Sequence, residues 1–219
     1  MKTLKKLLPL SIAAAAATAG ISTAAQAEVG ASVGVASTYL WRGYDLGSGT
    51  PAVSGDLNYS AAGAYAGIWG SSGDTTAGTE YDLYAGYGME FDMFSFDVSV
   101  WNYNYPTGSS EIDFADLTDV VVSIGVGPVS FAAYEPVAGA GDYDYGYYTL
   151  STGYGPFSFT LGMHKDGGTD EDGDTTDPTH LNVDYAYNDN LTFTLSQFIS
   201  DEPEGDDLKF VVSYSIPLM

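Results

Sequence analysis

Short runs in which apolar and polar residues alternate dominate this chain beyond its N-terminal segment. In "KFVVSYSIPLM" at the C-terminus, apolar side chains occupy every second position: Phe210, Val212, Tyr214, Ile216 and Leu218. The stretches "PFSFTLGM" and "NLTFTLS" repeat the pattern. A period of two belongs to a β-strand with two unlike faces, whereas a helix repeats every 3.6 residues. The sequence therefore predicts an all-β fold.

Marking each alternating run predicts about twelve strands, with ten as the alternative. Their lengths centre near about ten residues, which is the length that a tilted strand needs to cross a bilayer. The predicted strands are 29–43, 50–59, 63–70, 80–89, 93–101, 117–126, 129–135, 143–153, 157–165, 179–187, 191–198 and 208–218.

The connections between these strands alternate between long loops and short turns. The long loops are 44–49, 71–79, 102–116, 136–142, 166–178 and 199–207, and the short turns are 61–63, 90–92, 127–128, 153–156 and 188–190. Outer-membrane barrels have short periplasmic turns, longer outer loops and an even number of antiparallel strands. The sequence therefore predicts a transmembrane, antiparallel, up-and-down β-barrel with both termini on the periplasmic side.

The first residues have the features of an export signal. Lys2, Lys5 and Lys6 precede the apolar run "LLPLSIAAAAATAGIS", and Ala25-Gln26-Ala27 matches an A-x-A cleavage site. We therefore expect residues 1–27 to be a cleaved signal peptide and residues 28–219 to form the barrel.

Acidic residues far outnumber basic ones, with 29 Asp and Glu against 6 Lys and Arg. Once the signal is removed, the only basic residues left are Arg42, Lys165 and Lys209. Such a field repels nucleic acid and attracts cations, so nucleic-acid binding is excluded. The chain has no cysteine, which excludes disulfides, thiol catalysis and zinc-thiolate sites.

Alternation alone does not show which face of each strand lies inside. A soluble two-sheet sandwich buries its apolar face, whereas a membrane barrel turns that face to lipid. Aromatic residues near the strand ends favour the barrel, because aromatic girdles lie at membrane interfaces. The predicted girdle is Tyr39, Trp41, Trp69, Tyr81 and Trp101 at the loop ends, with Tyr87, Phe94, Phe157 and Tyr187 at the turn ends.

The amino-acid sequence of the first strands resembles that of a known protein family. "ASTYLWRGYDLG…PAVSGDLNYS", "GAYAGIWGSSGD" and "TEYDLYAGYG" resemble the TorF-type porin family, also described as the Gcw_chp domain of unknown function. The resemblance is densest over 36–90 and implies a porin in the outer membrane of a Gram-negative bacterium. Its partners would be outer-membrane lipid, lipopolysaccharide and the barrel insertion machinery. It supplies no catalytic or ligand residues.

The phase of the first predicted strand assigns residues to the lumen. If its odd positions face lipid, Trp41 lies in the girdle and Arg42 faces the lumen. The same phasing predicts acidic pore-lining residues at Asp56, Asp82, Asp97, Asp119 and Asp184. Fixed carboxylates bias a narrow channel toward cations, so we expect passive, cation-favouring diffusion of small solutes. An ion pair made by Arg42 that plugs a small barrel is the structural alternative.

The loop "DGGTDEDGDTTDPT" (166–179) is rich in potential calcium ligands: Asp170, Glu171, Asp172, Asp174 and Asp177. It lacks the glycine and the distant glutamate of an EF-hand loop, so a hydrated acidic loop is the preferred interpretation. The sequence predicts no metal centre and no cofactor.

Two histidines flank that loop on adjacent predicted strands. His164 or His180 with Asp177 or Asp184 would resemble a histidine–carboxylate pair of outer-membrane hydrolases, but no serine motif accompanies them. The sequence therefore predicts a protein that is not an enzyme. The rival functions are a closed structural or adhesive barrel whose loops bind a partner, and a barrel hydrolase.

Overall fold

The computed structural model of the protein describes residues 27–107, 114–139, 145–169, 173–201 and 207–219. Within those ranges the regular structure is entirely β. The described part of the chain contains no helix that is long and apolar enough to span a membrane. The expected signal peptide lies outside the described residues, apart from Ala27.

Twelve strands form one closed antiparallel barrel, and each pairs with its neighbours in the chain. Its strands are β1 (Glu28–Ala36), β4 (Ala52–Ala61), β5 (Ala64–Asp74), β6 (Gly78–Phe91), β7 (Phe94–Asn104), β8 (Leu117–Val126), β9 (Val129–Ala138), β10 (Gly146–Tyr154), β11 (Phe157–Lys165), β14 (Thr179–Ala186), β15 (Leu191–Ser200) and β16 (Lys209–Pro217). The first and last strands close the ring, from Ser32 opposite Pro217 to Ala36 opposite Ser213. The predicted twelve-stranded barrel is confirmed, and the ten-stranded and sandwich alternatives are wrong.

Four shorter strands make two small ribbons: β2 (Leu40–Trp41) with β3 (Tyr44–Asp45), and β12 (Gly168–Thr169) with β13 (Thr175–Thr176). The second ribbon belongs to the acidic loop 166–179. The ribbon of β2 and β3 follows β1 in the chain.

The outer face of the barrel is apolar. On β11 the side chains of Phe157, Phe159, Leu161 and Met163 point outward and are exposed, while those of the alternate positions point inward. On β16, Phe210, Tyr214 and Ile216 are likewise exposed. A water-soluble barrel would bury these residues, so the distribution is that of a barrel whose outer wall meets lipid.

The inner wall has two parts. Toward the short turns it carries small side chains, among them Ser60, Ser95 and Ser123. Toward the long loops it carries a buried cluster of large side chains: Tyr84, Trp101, Val121, Tyr134 and Tyr147. We call the first part the vestibule. The inner wall therefore carries mainly small side chains toward the turns and large aromatic ones toward the long loops.

The first strand ends at Ala36, not at residue 43 as predicted. Ser37 still pairs with β16, since its amide donates to the Val212 carbonyl oxygen over 2.9 Å. The chain then turns into the lumen, where Leu40 lies opposite Asp45 and Trp41 opposite Tyr44. We call residues 37–49 the inner hairpin.

The turn of the inner hairpin is formed by Arg42 and Gly43, with φ of 47° and 89°. Positive φ angles at both central residues are those of a type I′ turn, whose twist matches that of a two-residue hairpin. The Asp45 carboxylate secures the base of the hairpin, since it accepts hydrogen bonds from the Thr38 hydroxyl and from the amides of Gly47 and Gly49. The hairpin is thus a defined element of its own.

Gly67 on β5 tests how tightly the inner wall is packed. A Cβ at this position would overlap the Tyr84 phenol and lie 2.8 Å from the Leu57 carbonyl oxygen. We expect Gly67→Ala to lower the free energy of unfolding by about 1–3 kcal/mol, measured by urea titration of the refolded barrel.

The control for Gly67→Ala is Gly153→Ala on β10. Its Cβ would lie 3.7 Å from the nearest atom, the Phe157 carbonyl oxygen, which is ordinary contact. Equal stability of the two variants would contradict the packing described for Tyr84.

Candidate functional site

The inner hairpin crosses the whole lumen. In the ring of twelve strands, β9 lies six positions from β1 in either direction, directly across from the root of the hairpin. The guanidinium of Arg42 reaches the Tyr134 ring on β9, with its central carbon 4.8 Å from the ring centroid. A segment that follows β1 therefore contacts the opposite wall.

The flanks of the hairpin contact the wall on both sides. Near its base, the Tyr39 hydroxyl donates to Glu80 on β6 over 2.7 Å, and the Tyr39 ring lies 6.1 Å from Trp69 on β5. Past the turn, the Tyr44 ring lies 4.8 Å from Phe198 on β15. The hairpin occupies the loop-end part of the lumen as a crossbar.

Arg42 at the tip is enclosed by polar partners. Its Nη2 lies 2.8 Å from Asp119 Oδ2 and donates to the Tyr103 hydroxyl over 3.3 Å, while Nη1 donates to the Tyr145 hydroxyl over 3.2 Å. Arg42 is only 3% exposed. Burying a charge in this way is tolerable only when a counter-charge and hydrogen bonds accompany it.

Aromatic faces complete the enclosure. The guanidinium carbon lies 4.8 Å from the ring centroids of both Tyr134 and Tyr147, and 4.5 Å from that of Trp41. Such cation–π contacts strengthen when the cation is removed from water. We call the wall residues that surround the guanidinium the arginine cage: Tyr103, Asp119, Tyr134, Tyr145 and Tyr147. The Arg42 Nε is buried and has no hydrogen-bond partner.

A closed circuit of hydrogen bonds holds the backbone of Arg42. His164 Nε2 lies 2.8 Å from the Arg42 carbonyl oxygen, and its Nδ1 lies 3.0 Å from the Tyr145 hydroxyl. Because a carbonyl only accepts, the proton is on Nε2, so Nδ1 accepts from Tyr145. Tyr145 in turn accepts from the Arg42 side chain. His164 therefore fixes both ends of the turn residue.

Two further buried acids lie beside the base of the hairpin. Glu80 accepts hydrogen bonds from Tyr39 and Tyr105, each over 2.7 Å. Burial and the nearby Glu80 carboxylate raise the pKa of Tyr105, so its phenol remains a donor. Asp82, the next inward residue on β6, has a buried Oδ1 without a hydrogen-bond partner. The loop-end lumen thus holds two buried acidic side chains, Glu80 and Asp82, in addition to the Arg42–Asp119 pair.

Two other aspartates face the vestibule. Asp56 accepts from the Tyr84 hydroxyl over 2.7 Å and from Asn58 Nδ2 over 2.6 Å. Asp97 accepts from the Tyr65 hydroxyl with both oxygens, at 2.9 and 2.8 Å. Both aspartates are partly exposed, so their carboxyl groups are accessible from the vestibule.

The six residues predicted to line the pore all lie on the inner side of the barrel. Arg42, Asp82 and Asp119 belong to the crossbar region, and Asp56 and Asp97 to the vestibule. Asp184 is buried and bonded to Thr194 over 2.5 Å and to Ser158 over 3.1 Å. Their role in permeation remains a prediction.

Four residues assigned to the aromatic girdle lie inside the barrel instead. Tyr39 and Trp41 belong to the inner hairpin, which has left the wall. Trp101 is buried in the inner cluster, and Trp69 packs against it. The alternation of the strands explains why both tryptophans face inward. Their neighbours in the strand, Ile68 and Val100, are exposed on the outer face, so Trp69 and Trp101 lie on the inner one. The other predicted girdle residues lie on the outer side or are exposed at a turn: Tyr81, Tyr87, Phe94, Phe157 and Tyr187.

The histidines do come together, with ring centroids 6.1 Å apart, but they do not pair with the predicted carboxylates. His180 bonds to the Tyr147 hydroxyl over 2.9 Å and to Asn182 Oδ1 over 3.0 Å. Asp184 bonds to Thr194 and Ser158, and Asp177 accepts from the Asp166 amide. The predicted histidine–carboxylate pair is wrong. His164 instead hydrogen-bonds to Arg42 and Tyr145, and His180 hydrogen-bonds to Tyr147 and lies against Gly43.

The predicted calcium ligands Asp170, Glu171 and Asp172 lie outside the described residues. Within the described ranges, no group of three or more His, Cys, Asp or Glu side chains is arranged to hold a metal ion.

The sequence did not predict that the cage tyrosines face the lumen. A signal for the inward orientation exists in β7 and β8. There the valines Val98, Val100 and Val122 set the outer phase, which turns Trp101 and Tyr103 inward. Nothing in the spacing predicts that Tyr134 and Tyr147 meet Arg42.

A family model described as "Bacterial protein of unknown function (Gcw_chp)" matches residues 20–194, which is most of the chain. The chain belongs to this family. The predicted Gcw_chp membership is thereby confirmed, and the matched region of this Gcw_chp protein includes the inner hairpin and every residue of the arginine cage.

Among solved structures, the protein is similar to a doubly substituted variant of OccD1 (OprD), with 13% sequence identity and a TM-score of 0.32. The match covers 87% of this chain and 66% of that chain. No curated protein matches the sequence.

Gly43 at the hairpin turn lies directly against His180. A Cβ there would lie 2.7 Å from the His180 Cγ, in addition to the backbone strain of a φ of 89°. Gly49 has a φ of 72° but no atom within 4 Å of its added Cβ. We expect both Gly→Ala variants to lose about 1–2 kcal/mol from the left-handed backbone. Gly43→Ala should lose about 1–3 kcal/mol more through overpacking, measured by urea unfolding. Equal losses would show that the tip does not rest on His180.

The buried Arg42–Asp119 pair should show strong energetic coupling. We expect Arg42→Ala and Asp119→Asn each to lower the free energy of unfolding by about 3–5 kcal/mol, because each leaves its partner buried without a counter-charge. The double variant should lose clearly less than the sum of the two. The exposed Lys165–Asp166 pair, at 3.3 Å, is the control and should couple by less than about 1 kcal/mol. Additive losses at Arg42 and Asp119 would contradict the pairing.

Proposed function

We propose that the protein is an outer-membrane porin that passes small solutes by diffusion and favours cations. The apolar outer wall, the closed ring of antiparallel strands and the polar vestibule support this proposal. In this proposal residues 1–27 direct export, the insertion machinery assembles residues 28–219, and outer-membrane lipid and lipopolysaccharide surround the wall. The porin role implied by the TorF-type resemblance is consistent with it.

The charge of the inner wall carries the preference for cations. In the described part of the wall, acidic side chains face inward at both levels, and those of Asp56 and Asp97 are partly exposed in the vestibule. The positive charge of Arg42 is already taken up by Asp119 over 2.8 Å. Fixed carboxylates that face a lumen, such as those of Asp56 and Asp97, concentrate cations and repel anions.

The inner hairpin limits the size of what passes. Because it joins the root side of the lumen to the opposite wall, a solute must pass beside it or displace it. The same crossbar favours a second function, a closed structural barrel whose outer loops bind a partner. The two functions differ in conductance.

Planar bilayer recordings of the purified protein test the proposal. We expect discrete channel events in salt and a reversal potential, in a salt gradient, on the cation-selective side. Asp56→Asn with Asp97→Asn should shift the reversal potential toward zero, because both carboxylates face the vestibule. The matched control removes two exposed turn carboxylates, Asp92→Asn with Asp189→Asn, and should shift it far less.

The outcomes separate the two functions. A folded barrel that gives no events, for the wild type and for both double variants, would exclude the porin and support the closed barrel. Events with no cation preference, unchanged by the vestibule variants, would retain the porin and exclude an acidic selectivity path. Resistance to carbonate extraction together with heat-dependent gel mobility would support the proposed membrane location.

A further inference from the structure

The arginine cage has the composition of a receptor for an organic cation. It combines one carboxylate, two phenol hydroxyls within 3.2–3.3 Å of the guanidinium and two tyrosine faces at 4.8 Å. Aromatic faces with a counter-charge are the means by which proteins bind ammonium and guanidinium groups. Every one of these groups belongs to the wall or its edge, and none to the inner hairpin.

Arg42 belongs to the same chain as the cage that it occupies, and its backbone has an unfavourable left-handed conformation. Its φ of 47° is unusual for a residue with a side chain, and such conformations persist only where the surroundings enforce them. Its Nε has no partner, so the cage recognises the outer end of the guanidinium and not the whole arginine side chain. The site is therefore specified by the wall rather than by the hairpin.

The position of the cage links its occupancy by Arg42 to the position of the inner hairpin. It lies against the strand opposite the root of the hairpin, where its hold on Arg42 keeps the crossbar in place. The Asp56 and Asp97 carboxylates lie in the vestibule on one side of it. A cation drawn into the lumen meets a site already shaped for positive charge.

We propose that the arginine cage is a binding site for guanidinium or alkylammonium solutes and that Arg42 occupies it as an internal substitute for the solute. A solute cation that displaces Arg42 frees the hairpin tip and opens the path beside it. This inference rests on the proposed porin function and names its substrate class. The binding part of the inference stands apart from conductance and is tested separately.

Chemical rescue tests the binding part. We expect Arg42→Ala to be stabilised by millimolar ethylguanidinium, which replaces the lost side-chain end, with a melting temperature that rises by about 2–4 °C and saturates. The wild type should not respond, because its cage is full. The Arg42→Ala, Asp119→Asn double variant should not respond either, because it lacks the carboxylate. Urea at equal concentration is the uncharged control.

The rescue has a clear contrary result. No saturable rise for Arg42→Ala, or the same rise in the wild type or the double variant, would overturn the cage as a cation site. If Arg42→Ala does not refold alone, recovery of the heat-modifiable folded band by ethylguanidinium supports the proposal, and failure to recover at any concentration counts against it.

Bilayer recordings test the opening part with the wild-type chain. We expect ethylguanidinium chloride to raise the conductance above that in equimolar sodium chloride, with Asp119→Asn losing the response and the exposed-turn variant Asp189→Asn keeping it. A conducting wild type that responds equally to both salts overturns the displacement of Arg42 while leaving the porin intact. A barrel that is silent in every salt overturns the porin function, and the rescue result still decides whether the cage binds cations.

Discussion

The interaction on which the loop-end lumen depends is the burial of one guanidinium against one carboxylate, Arg42 with Asp119. A buried charge without a partner costs several kcal/mol, so the hairpin tip has one favourable position, against the wall that holds Asp119. The primed turn, the contact of Gly43 with His180 and the hydrogen bonds of His164 all follow from that placement. The Tyr39–Glu80 hydrogen bond, the Tyr44–Phe198 ring contact and the His164 hydrogen bond then add to the hold on the segment inside the lumen.

The alternation along each strand gives the wall two unlike faces. Each strand turns an apolar row outward and a polar or aromatic row to the lumen, and the twelve strands pair into a closed ring that has no edge. The inner row then divides by size along the axis. Small side chains such as Ser95 and Ser123 leave room in the vestibule, and large ones such as Trp101 and Tyr84, stacked at 4.4 Å, fill the level of the crossbar. The barrel is therefore most densely packed where the hairpin is seated.

Period-two patterning predicted the wall well because a strand's faces are fixed by its neighbours in sequence. Phe157, Phe159, Leu161 and Met163 could be placed on one face with no knowledge of the rest. It failed at residues 37–43 because the alternation there continues across a change of direction. The "WRGY" turn resembles a strand end unless the positive φ of Arg42 is known.

The prediction of the aromatic girdle was wrong at four residues for a different reason. A tryptophan near a strand end fits a membrane girdle and a filled lumen equally well, and only the phase relative to the exposed Val100 or Ile68 separates the two. The cage itself lay beyond prediction, because Arg42 meets Tyr134 and Tyr147 through a contact across the barrel and not through sequence spacing.

A buried ion pair is a poor source of net stability but a sensitive latch. Its Coulomb attraction is largely offset by the lost hydration of both charges, so moving Arg42 and Asp119 together into water costs little. Removing one partner alone is costly, because the other remains dehydrated. A competing cation avoids that cost, since it replaces Arg42 at Asp119 while the guanidinium is rehydrated in the lumen. What then resists opening is mainly the apolar burial of the hairpin base, where Tyr39 and Leu40 are 3% and 7% exposed. Under the proposed exchange, the tip would move about a base that stays buried, once the His164 hydrogen bond to the Arg42 carbonyl oxygen is also broken.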